Sequence, residues 1–351
     1  MKDLNILFSP YQLTDKITLS NRIVMAPMTR SMAKEDFTPT QEMAEYYGRR
    51  ADAGLIITEG TVIRPDGTGY PTVPGIFTQK HIDAWKKVTS TVHAKGGKIA
   101  NQIWHVGRVS HPHFLNGALP IGPSATKMQN RVPRMPGLFY GESRAVTLDE
   151  IKVLIEDFIK AGENAIKAGF DLIELHGANG YLIDQFLHHH TNHRKDEYGG
   201  SPENMARFVL EIINGLGDVI GYDKIGIRLS PGAYLNEIVG DPKDAEVFKY
   251  LLLQLNELNI AFVDTGNFDD SVTFPELGNK TMTAFMREFY KGNLIATGGY
   301  TYETAIKNIE NNEFDLVSLG RPFIANPNLI EKLSNSDSLT NYDVNMLEML
   351  Y

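Results

Sequence analysis

The chain has 351 residues, of which 42% are hydrophobic and 22% are charged, and its formal net charge is −9 at pH 7. This length is enough for one large or two ordinary domains, and the composition is typical of a folded globular protein rather than a collagen, a coiled coil or a disordered chain. The acidic balance and the scattered basic residues argue against a nucleic-acid partner, and the absence of cysteine excludes disulfides, cysteine nucleophiles and cysteine-ligated metal centres.

The first residues, Met1–Asn5, do not begin an apolar secretory segment, and no run approaches the roughly 18 apolar residues that a membrane helix needs. We therefore expect a cytoplasmic protein without a membrane partner.

Three segments repeat one pattern of a helical run, a glycine and a short apolar strand: 46–60, 93–105 and 164–177. A glycine after a helix is expected to take the left-handed position that ends it, and an almost continuous apolar run predicts a strand buried on both faces. Repetition of this unit predicts parallel strands joined by crossover helices.

The same rule predicts eight strands along the chain. Helix start signals lie between them at Thr147, Ser201 and Asp241, the first with Glu150 in a capping box and the other two followed by proline. A doubly wound open sheet is the rival fold, but it normally carries a glycine-rich turn after its first strand, and here that turn is Met28-Thr29-Arg30-Ser31. The predicted strands are Ile23–Pro27, Leu55–Gly60, Ile99–His105, Leu172–Gly177, Ile225–Ser230, Ala261–Thr265, Leu294–Gly298 and Leu316–Gly320.

These elements predict an α/β fold, a TIM (β/α)8 barrel that forms a single domain over residues 1–351. The residues beyond a standard barrel fit an N-terminal cap before Asn21 and a long excursion after the third strand, residues 107–146. Loops of this length are usually functional, so we expect the excursion to be a lid or a cavity wall, with a surface hairpin as the alternative.

In a TIM barrel the site lies where the strands end, and the polar residues at those ends are mostly uncharged. They include no pair of facing carboxylates for glycoside hydrolysis and no lysine for Schiff-base chemistry. Glu59 and Glu174 lie on strands, where a buried carboxylate without a partner is usually a structural hydrogen-bonding group. The strand-end residues are Thr29, Glu59, Gly60, Gln102, His176, Asn179, Tyr181, Arg228, Thr265, Gly266, Asn267, Gly298, Gly299, Gly320 and Arg321.

The last two strand ends carry Gly298-Gly299 and Gly320-Arg321, which favour a phosphate site because glycines expose backbone N–H groups and arginine adds a bidentate donor. Tight turns with a surface arginine are the alternative. Thr29, Gln102 and Arg228 would then suit the polar edge of a ring attached to that phosphate. The residues alone leave open flavin mononucleotide (FMN), whose anionic reduced form Arg228 would stabilise, and a phosphorylated sugar.

The segment His176–Tyr181 offers two N–H donors, from His176 and Asn179, and a tyrosine hydroxyl that stays protonated at neutral pH and suits a general acid. The alternative is a buried histidine and an asparagine in a turn. Four further histidines, at 188, 189, 190 and 193, do not predict a metal site, because neighbouring histidines rarely point at one centre and no other ligand completes a set.

Six ordered segments resemble the old yellow enzyme family, FMN-dependent alkene reductases that include N-ethylmaleimide reductase-like members. The similarity runs over nearly the whole chain. The segments are Ala26–Arg30, the stretch from Gly69-Tyr70-Pro71 to Pro74-Gly75-Ile76, Gln102–Arg108, His176–Leu182, Arg194–Ser201 and Gly320–Pro327.

The resemblance implies a set of cofactor-binding residues. Thr29 would bond the flavin O4, Gly60 and Gln102 would hold the ring, and Arg228 would face its N1 side. The whole implied set is Pro27, Met28, Thr29, Gly60, Gln102 and Arg228 at the ring, with Gly298, Gly299, Gly320 and Arg321 at the phosphate.

The resemblance also implies an NAD(P)H-dependent reduction of electron-poor alkenes, namely α,β-unsaturated carbonyl, maleimide or nitro compounds. NAD(P)H would reduce FMN and leave, His176 and Asn179 would hold the activating oxygen of the alkene, and flavin N5 would deliver hydride to the β-carbon. Tyr181 would protonate the α-carbon, and Tyr70 and Trp104 would line the substrate cavity.

One departure concerns the end of the chain, because many relatives continue past the barrel with an aromatic, glycine-rich stretch. Tyr351 would either stand for the site tyrosine of that stretch or leave that wall missing. We expect a monomer or a homodimer. A flavin-free barrel acting on a phosphorylated sugar and a non-catalytic flavin-binding protein remain the alternatives, and the colour and the turnover of the purified protein distinguish them.

Overall fold

The computed structural model of the protein describes residues 6–351. The expectations for Met1–Asn5, including their place in the predicted domain, lie outside the described residues. The strands are β1 (Tyr11–Thr14), β2 (Ile17–Leu19), β3 (Ile23–Met25), β4 (Leu55–Ile57), β5 (Thr61–Val62), β6 (Ile99–Trp104), β7 (Ile121–Gly122), β8 (Arg144–Ala145), β9 (Leu172–Gly177), β10 (Ile225–Leu229), β11 (Phe262–Thr265), β12 (Leu294–Thr297) and β13 (Leu316–Leu319).

The helices of the described residues lie around the barrel and above it. They are α1 (Gln41–Gly48), α2 (Gln79–His93), α3 (Leu148–Lys167), α4 (Leu182–Leu187), α5 (Pro202–Ile220), α6 (Asp244–Leu258), α7 (Met282–Phe289), α8 (Tyr302–Glu310), α9 (Arg321–Ala325) and α10 (Leu329–Asn335).

Eight parallel strands close into a barrel within residues 6–351. The hydrogen-bonded order is β4-β3-β13-β12-β11-β10-β9-β6, and the pairing of β4 with β6 closes the ring. The predicted TIM barrel is therefore confirmed, with a strand at each of the eight predicted places. Six of the eight strands end one to three residues earlier than predicted.

The helix start signals are confirmed at two of three places. Thr147 caps α3 and closes the predicted capping box with Glu150, and the Ser201 hydroxyl accepts the N–H of Asn204 at the start of α5. The prediction of a helix start at Asp241 is wrong, since α6 begins at Asp244 after a turn. The reason is that the buried Asp244 carboxylate accepts the Asp241 N–H and fixes that turn.

The glycines that follow the repeated helices serve two different purposes. Gly96 and Gly169 have φ of +79° and +91°, the left-handed conformation that was predicted. The same prediction is wrong for Gly54, whose φ is not positive. A Cβ at Gly54 would lie 2.1 Å from the carbonyl oxygen of Asn21, so this glycine is required for close packing.

The N-terminal cap is an antiparallel hairpin of β1 and β2. Its side chains Leu13, Ile17 and Leu19 are buried in one cluster with residues from the beginnings of the barrel strands, among them Leu55 and Leu316. The hairpin therefore covers the N-terminal end of the barrel and leaves the carboxyl ends of the strands free for a site.

The excursion over residues 107–146 is closed at its base by the pairing of β7 with β8. Beyond the base, bridges join Lys127 to Glu142 and Arg131 to Phe139 in a hairpin. The hairpin does not lie free on the surface, because the excursion buries apolar side chains against the end of β6 and the turn after β9. The members of this cluster include Val109, Met128, Val132 and Tyr140 of the excursion, with Trp104 and Tyr181.

Candidate active site

The turn between β9 and α4 carries two of the predicted side chains, Asn179 and Tyr181. Asn179 and Gly180 are left-handed, with φ of +63° and +77°. The Asn179 N–H donates to Ser230 Oγ at 2.8 Å, and Asn236 Nδ2 donates to the Asn179 carbonyl oxygen at 2.7 Å. Side chains of the loop after β10 therefore hold the backbone of the turn, which leaves the side chains of the turn available to a ligand.

His176 stands next to Arg228 on the neighbouring strand, in register with it. Its side chain is buried, with 6% of the residue exposed, and its Nδ1 has no hydrogen-bond partner within residues 6–351. Burial and the adjacent Arg228 guanidinium hold the pKa of His176 well below its usual range. The imidazole is therefore neutral and presents one N–H donor.

The Asn179 side chain is oriented by Tyr234. The Tyr234 hydroxyl donates a short hydrogen bond to Asn179 Oδ1. Because the amide oxygen is engaged in this way, the Nδ2 hydrogens are the groups that Asn179 presents to a ligand. His176 near the end of β9 and Asn179 on the turn that follows thus provide two neutral N–H donors.

Tyr181 lies in an aromatic cluster with Tyr70 and Trp104. The hydroxyl oxygens of Tyr181 and Tyr70 are 2.9 Å apart, and the Trp104 ring lies 4.9 Å from that of Tyr181 and 5.6 Å from that of Tyr70, between centroids. Burial and the nearby Tyr70 hydroxyl raise the pKa of Tyr181 well above its usual range. Tyr181 therefore keeps its proton at neutral pH.

A chain of polar groups lies at the floor of the site on β6, β9, β10 and β11. Gln102 Nε2 donates to Glu174 Oε1 at 2.8 Å, which leaves Gln102 Oε1 as the atom available to a ligand. Arg228 Nη1 lies 3.3 Å from Asp264 Oδ2, and Arg228 Nε is buried without a partner in the described chain. Burial raises the pKa of Asp264 to about 6, and burial and Asp264 together raise that of Glu174 well above its usual range.

The segment after β3 is held from both sides. Arg134 of the excursion donates to the carbonyl oxygens of Thr29 and Arg30 at 3.0 and 2.8 Å. Pro27, Met28 and Thr29 are half-buried. A Cβ on Gly320 would lie 3.2 Å from Met28 Sδ, so Gly320 and Met28 are in close contact. The ends of β3 and β13 therefore lie against each other.

The predicted phosphate site is a glycine-lined surface beside an exposed arginine. Gly299 has φ of +77°, and the backbone N–H groups of Gly299 and Gly320 donate to no other group of residues 6–351. A Cβ on Gly298 would lie 2.5 Å from that of Asp270, so Gly298 is packed against the loop after β11. Arg321 is exposed and makes no ion pair in the described chain.

Two predicted residues have contacts that the sequence did not indicate. A Cβ on Gly60 would lie 2.4 Å from the Trp104 ring, so the ring packs directly on the Cα of Gly60. Gly60 can therefore offer a ligand only its backbone groups. Tyr351 is 53% exposed, and its carbonyl oxygen accepts a 2.6 Å hydrogen bond from Arg50 Nη1. Arg50 also donates to Phe323 O at 2.9 Å, which places Tyr351 beside α9 rather than beside Tyr181.

The structure therefore brings the predicted residues together in three groups at one end of the barrel. The first is the aromatic and donor group, the second is the polar floor and the third is the glycine-lined surface. The respective members are Gly60, Tyr70, Trp104, His176, Asn179 and Tyr181; Gln102 and Arg228; and Gly298, Gly299, Gly320 and Arg321, with the segment Pro27-Met28-Thr29 packed against Gly320.

Sequence reasoning missed the partners that orient these groups. Tyr234 and Asn236 come from a loop without strand or helix character, and Arg134 comes from the middle of the excursion, so no periodicity marked them. Asp264 could have been found, because a carboxylate within a buried strand next to a strand-borne arginine signals an ion pair.

The histidines after α4 form ion contacts rather than a metal site. His188 Nδ1 and His189 Nδ1 each lie 2.9 Å from an oxygen of Asp244. Among the described residues no group of three or more histidine, cysteine, aspartate or glutamate side chains is arranged to hold a metal ion. Across the same residues, no helix combines the length and the apolar character needed to cross a membrane.

Comparison with known proteins gives a consistent result along the chain. Residues 6–339 match the model of the NADH:flavin oxidoreductase / NADH oxidase family. The chain is 40% identical to 12-oxophytodienoate reductase 7 of Oryza sativa subsp. japonica over 354 aligned positions, which cover 96% of this chain and 89% of the rice protein.

Solved structures give the same result. An old yellow enzyme homologue from Zymomonas mobilis superposes with a TM-score of 0.90 at 38% identity, covering 97% of this chain and 96% of that chain. Morphinone reductase in complex with tetrahydroNAD superposes with a TM-score of 0.88 at 40% identity, covering 97% and 93%.

Proposed function

The chain belongs to the old yellow enzyme family of NADH:flavin oxidoreductases, and from this premise we propose that its site reduces electron-poor C=C bonds with His176, Asn179 and Tyr181 as the reacting side chains. The protein is an FMN-dependent NAD(P)H oxidoreductase of the old yellow enzyme type. The proposed substrates are α,β-unsaturated carbonyl, maleimide or nitro compounds.

The residues present fit FMN. Arg228 Nε is a buried donor without a protein partner, and Gln102 Oε1 is an acceptor whose amide is locked by Glu174. Together they suit the mixed donor and acceptor edge of an isoalloxazine ring, with Thr29 and the backbone of Gly60 as further contacts. We propose the whole cofactor-binding set that the family resemblance implies, including Pro27 and Met28 beside Gly320.

The phosphate of FMN fits the glycine-lined surface. The unpaired N–H groups of Gly299 and Gly320, beside the extended backbone of Gly298, can approach phosphate oxygens closely, and Arg321 adds a fixed positive charge. Family membership favours this group over the phosphorylated sugar of the alternative hypothesis.

When bound, FMN would supply the hydride chemistry that links NAD(P)H oxidation to reduction of the substrate C=C bond. His176 and Asn179 bind the activating oxygen of the substrate, because both present N–H donors and neither carries a charge that would need desolvation. Negative charge develops on that oxygen as the hydride arrives, and a preorganised donor to it is worth about 3 kcal/mol.

Tyr181 holds the proton for the α-carbon. Its raised pKa keeps the hydroxyl protonated, and the hydrogen bond to Tyr70 orients it. Trp104 fixes both tyrosine rings and, with Tyr70, forms the wall of the substrate cavity. The observation that carries the proposal is the juxtaposition of two neutral N–H donors, His176 near the end of β9 and Asn179 on the turn after it, with a protonated tyrosine on that same turn.

An absorbance spectrum of the purified protein, recorded before and after addition of a simple phenol, tests the proposal. We expect a flavin spectrum, release of FMN on denaturation, and a new long-wavelength band from phenolate held by His176 and Asn179 against the ring. A flavin spectrum without that band contradicts the donor pair. A colourless protein that cannot be reconstituted with FMN favours the sugar-phosphate alternative, and a coloured protein without turnover favours a binding protein.

The remaining expectations belong to the same proposal. Residues 1–351 form one FMN-binding domain, the protein is a monomer or a homodimer, and it acts in the cytoplasm. The support is the closed barrel over the described residues, in which all three groups of the site lie at one end. Light scattering of the purified protein and fractionation of cells test the oligomeric state and the location.

A further inference from the structure

A buried histidine lies behind the turn that carries Asn179 and Tyr181. His188 follows α4 directly, and its side chain is 1% exposed. Its Nδ1 lies 2.9 Å from Asp244 Oδ2 at the start of α6, and its Nε2 lies 3.3 Å from Asp184 Oδ1 on α4. The imidazole therefore lies between two buried carboxylates, with a hydrogen bond to Asp244 and an ionic contact with Asp184 that is not a hydrogen bond.

The second oxygen of Asp184 holds the turn itself. Asp184 Oδ2 accepts the Gly180 N–H at 2.7 Å and the Ser230 hydroxyl at 3.3 Å. The same Ser230 oxygen accepts the Asn179 N–H at 2.8 Å. Asp184 is thus tied, directly or through one hydroxyl, to both left-handed residues of the turn.

The charge of this group favours a fixed arrangement. Burial lowers the pKa of His188, but the two carboxylates outweigh it and raise that pKa to about 10, so the ring is a cation at neutral pH. The titratable groups that face it from the packed elements are Asp184, Asp244, the nearby His190 and, through Asp244, His189. Without the cation, two buried carboxylates would lose their shared partner.

We propose that His188 is a positioning residue for the substrate-oxygen site, acting through Asp184 on the backbone of Asn179 and Gly180. What the turn binds rests on the proposed function. The positioning rests on the contacts alone. Left-handed conformation is unfavourable for a residue with a side chain, so the turn needs such ties to keep the Asn179 amide in place.

His189 provides a matched control. Its Nδ1 and its backbone N–H both lie 2.9 Å from the same Asp244 oxygen, yet it makes no contact with Asp184. A His189→Gln variant therefore perturbs the Asp244 side of the cluster and leaves the path to the turn intact. His188→Gln removes the cation that both carboxylates share.

The test measures phenol binding to the FMN-loaded proteins by the long-wavelength band, with FMN content and thermal unfolding recorded for each. We expect His188→Gln to bind phenol about tenfold more weakly than the unaltered protein, the loss of roughly one charge-assisted contact, and His189→Gln to bind within about twofold. Equal affinities for His188→Gln and the unaltered protein would overturn the inference, as would equal losses in both variants.

A double-mutant cycle tests the path through Asp184. If His188 acts through that carboxylate, His188→Gln combined with Asp184→Asn weakens phenol binding by about as much as the stronger single change, rather than by the product of the two. Independent, multiplicative losses contradict the path.

Hydrogen exchange gives a readout that does not depend on the ligand. In His188→Gln, the amides of residues 178–182 should exchange faster than in the unaltered protein. In His189→Gln, the exchange rates of the same amides should equal those of the unaltered protein. If His188→Gln accumulates poorly, Ser230→Ala cuts the same path beyond the buried charge and should also accelerate exchange at Asn179. Unchanged exchange in these variants contradicts the inference, whereas a missing phenol band in the unaltered protein contradicts only the proposed function.

Discussion

Tyr181 and Tyr70 share a hydrogen bond, but only Tyr181 stands on the turn that follows His176 and carries Asn179. Replacing Tyr181 with phenylalanine removes the proposed proton and keeps the ring. We expect rapid mixing to show unchanged flavin reduction by NAD(P)H and an alkene step slowed by about 10²–10⁴-fold.

Tyr70→Phe is the control for that experiment, because it deletes the other hydroxyl of the pair and leaves the acid in place. It should slow the alkene step far less than Tyr181→Phe does. Loss of flavin reduction itself in Tyr181→Phe contradicts the role assigned to this tyrosine.

Glu59 predicts a pH dependence of stability. Its Oε2 accepts the N–H groups of Arg30 and Ser31 at 3.1 and 3.3 Å, next to Thr29. Burial raises the pKa of Glu59 from 4.5 to about 7. For an acid with a raised folded-state pKa, the folded protein binds the extra proton, so this contribution to stability is present below pH 4.5 and is lost as the pH rises through about 7.

The Glu59→Gln variant imitates the protonated carboxyl group. It should therefore not lose this stability as the pH rises. Thermal unfolding at pH 5 and at pH 8 should show the variant gaining stability relative to the unaltered protein at the higher pH, on the order of 2 kcal/mol. If the stability difference between Glu59→Gln and the unaltered protein is the same at both pH values, the raised pKa assigned to Glu59 is contradicted.

The identities of the reacting residues could be predicted from the sequence, but their orientations could not. His176 and Asn179 were found because they follow a recognisable strand. That Asn179 presents its Nδ2 depends on Tyr234, and that Gln102 presents its oxygen depends on Glu174. Such partners are fixed by tertiary packing between segments far apart in the chain, which one sequence does not reveal.

Among the elements, the excursion is the one whose attachment can be tested. Arg134 ties the hairpin to the carbonyl oxygens of Thr29 and Arg30. Arg134→Ala should cost at most about 1 kcal/mol of overall stability, because the side chain is partly exposed. Proteolysis and hydrogen exchange should increase locally over residues 131–139, and the KM for alkenes should rise.

Arg131→Ala supplies the comparison within the same hairpin. Arg131 is exposed and lies over the Phe139 ring at 5.6 Å, so its loss leaves the attachment to Thr29 unchanged. Equal proteolysis of the two variants would mean that Arg134 does not hold the hairpin.

The elements themselves were largely predictable, and the exceptions have local causes. The strands and the caps of α3 and α5 follow from short-range patterns. The start of α6 does not, because the Asp244 carboxylate is recruited by His188 and His189. The role of Gly54 also depends on a distant residue, since its close neighbour is Asn21.

At the scale of the whole molecule, the two ends of the barrel have separate tasks. Leu19 is fully buried in the N-terminal hairpin, whereas the site lies at the carboxyl ends of the strands. Leu19→Ala should therefore lower the free energy of unfolding by about 2–5 kcal/mol. Below the unfolding transition, FMN content and phenol affinity should stay unchanged.

Thr18→Ala is the matched control, because Thr18 is the exposed neighbour on the same strand. Its unfolding free energy should stay within about 0.5 kcal/mol of the unaltered protein. A loss of phenol affinity in Leu19→Ala at low temperature would show that the two ends are coupled.

The closed topology could be predicted because apolar strands and helical runs alternate along the chain, and the first strand lacks the glycine-rich turn that the rival open sheet normally carries. The long excursion could be located from its boundaries. Its path over Trp104 and Tyr181 could not be predicted, because it follows from apolar contacts of Met128, Val132 and Tyr140 rather than from a repeat.

The base of the excursion has a consequence for protein engineering. The Arg144 N–H donates to the Pro120 carbonyl oxygen at 2.9 Å, so the two ends of the intervening segment are already pinned together by β7 and β8. Lengthening a loop whose ends are fixed costs only about 0.6 kcal/mol per doubling. Grafts of other lengths between residues 123 and 143 should therefore be tolerated where they keep the apolar contacts with Trp104 and Tyr181 and the Arg134 hydrogen bonds to Thr29 and Arg30.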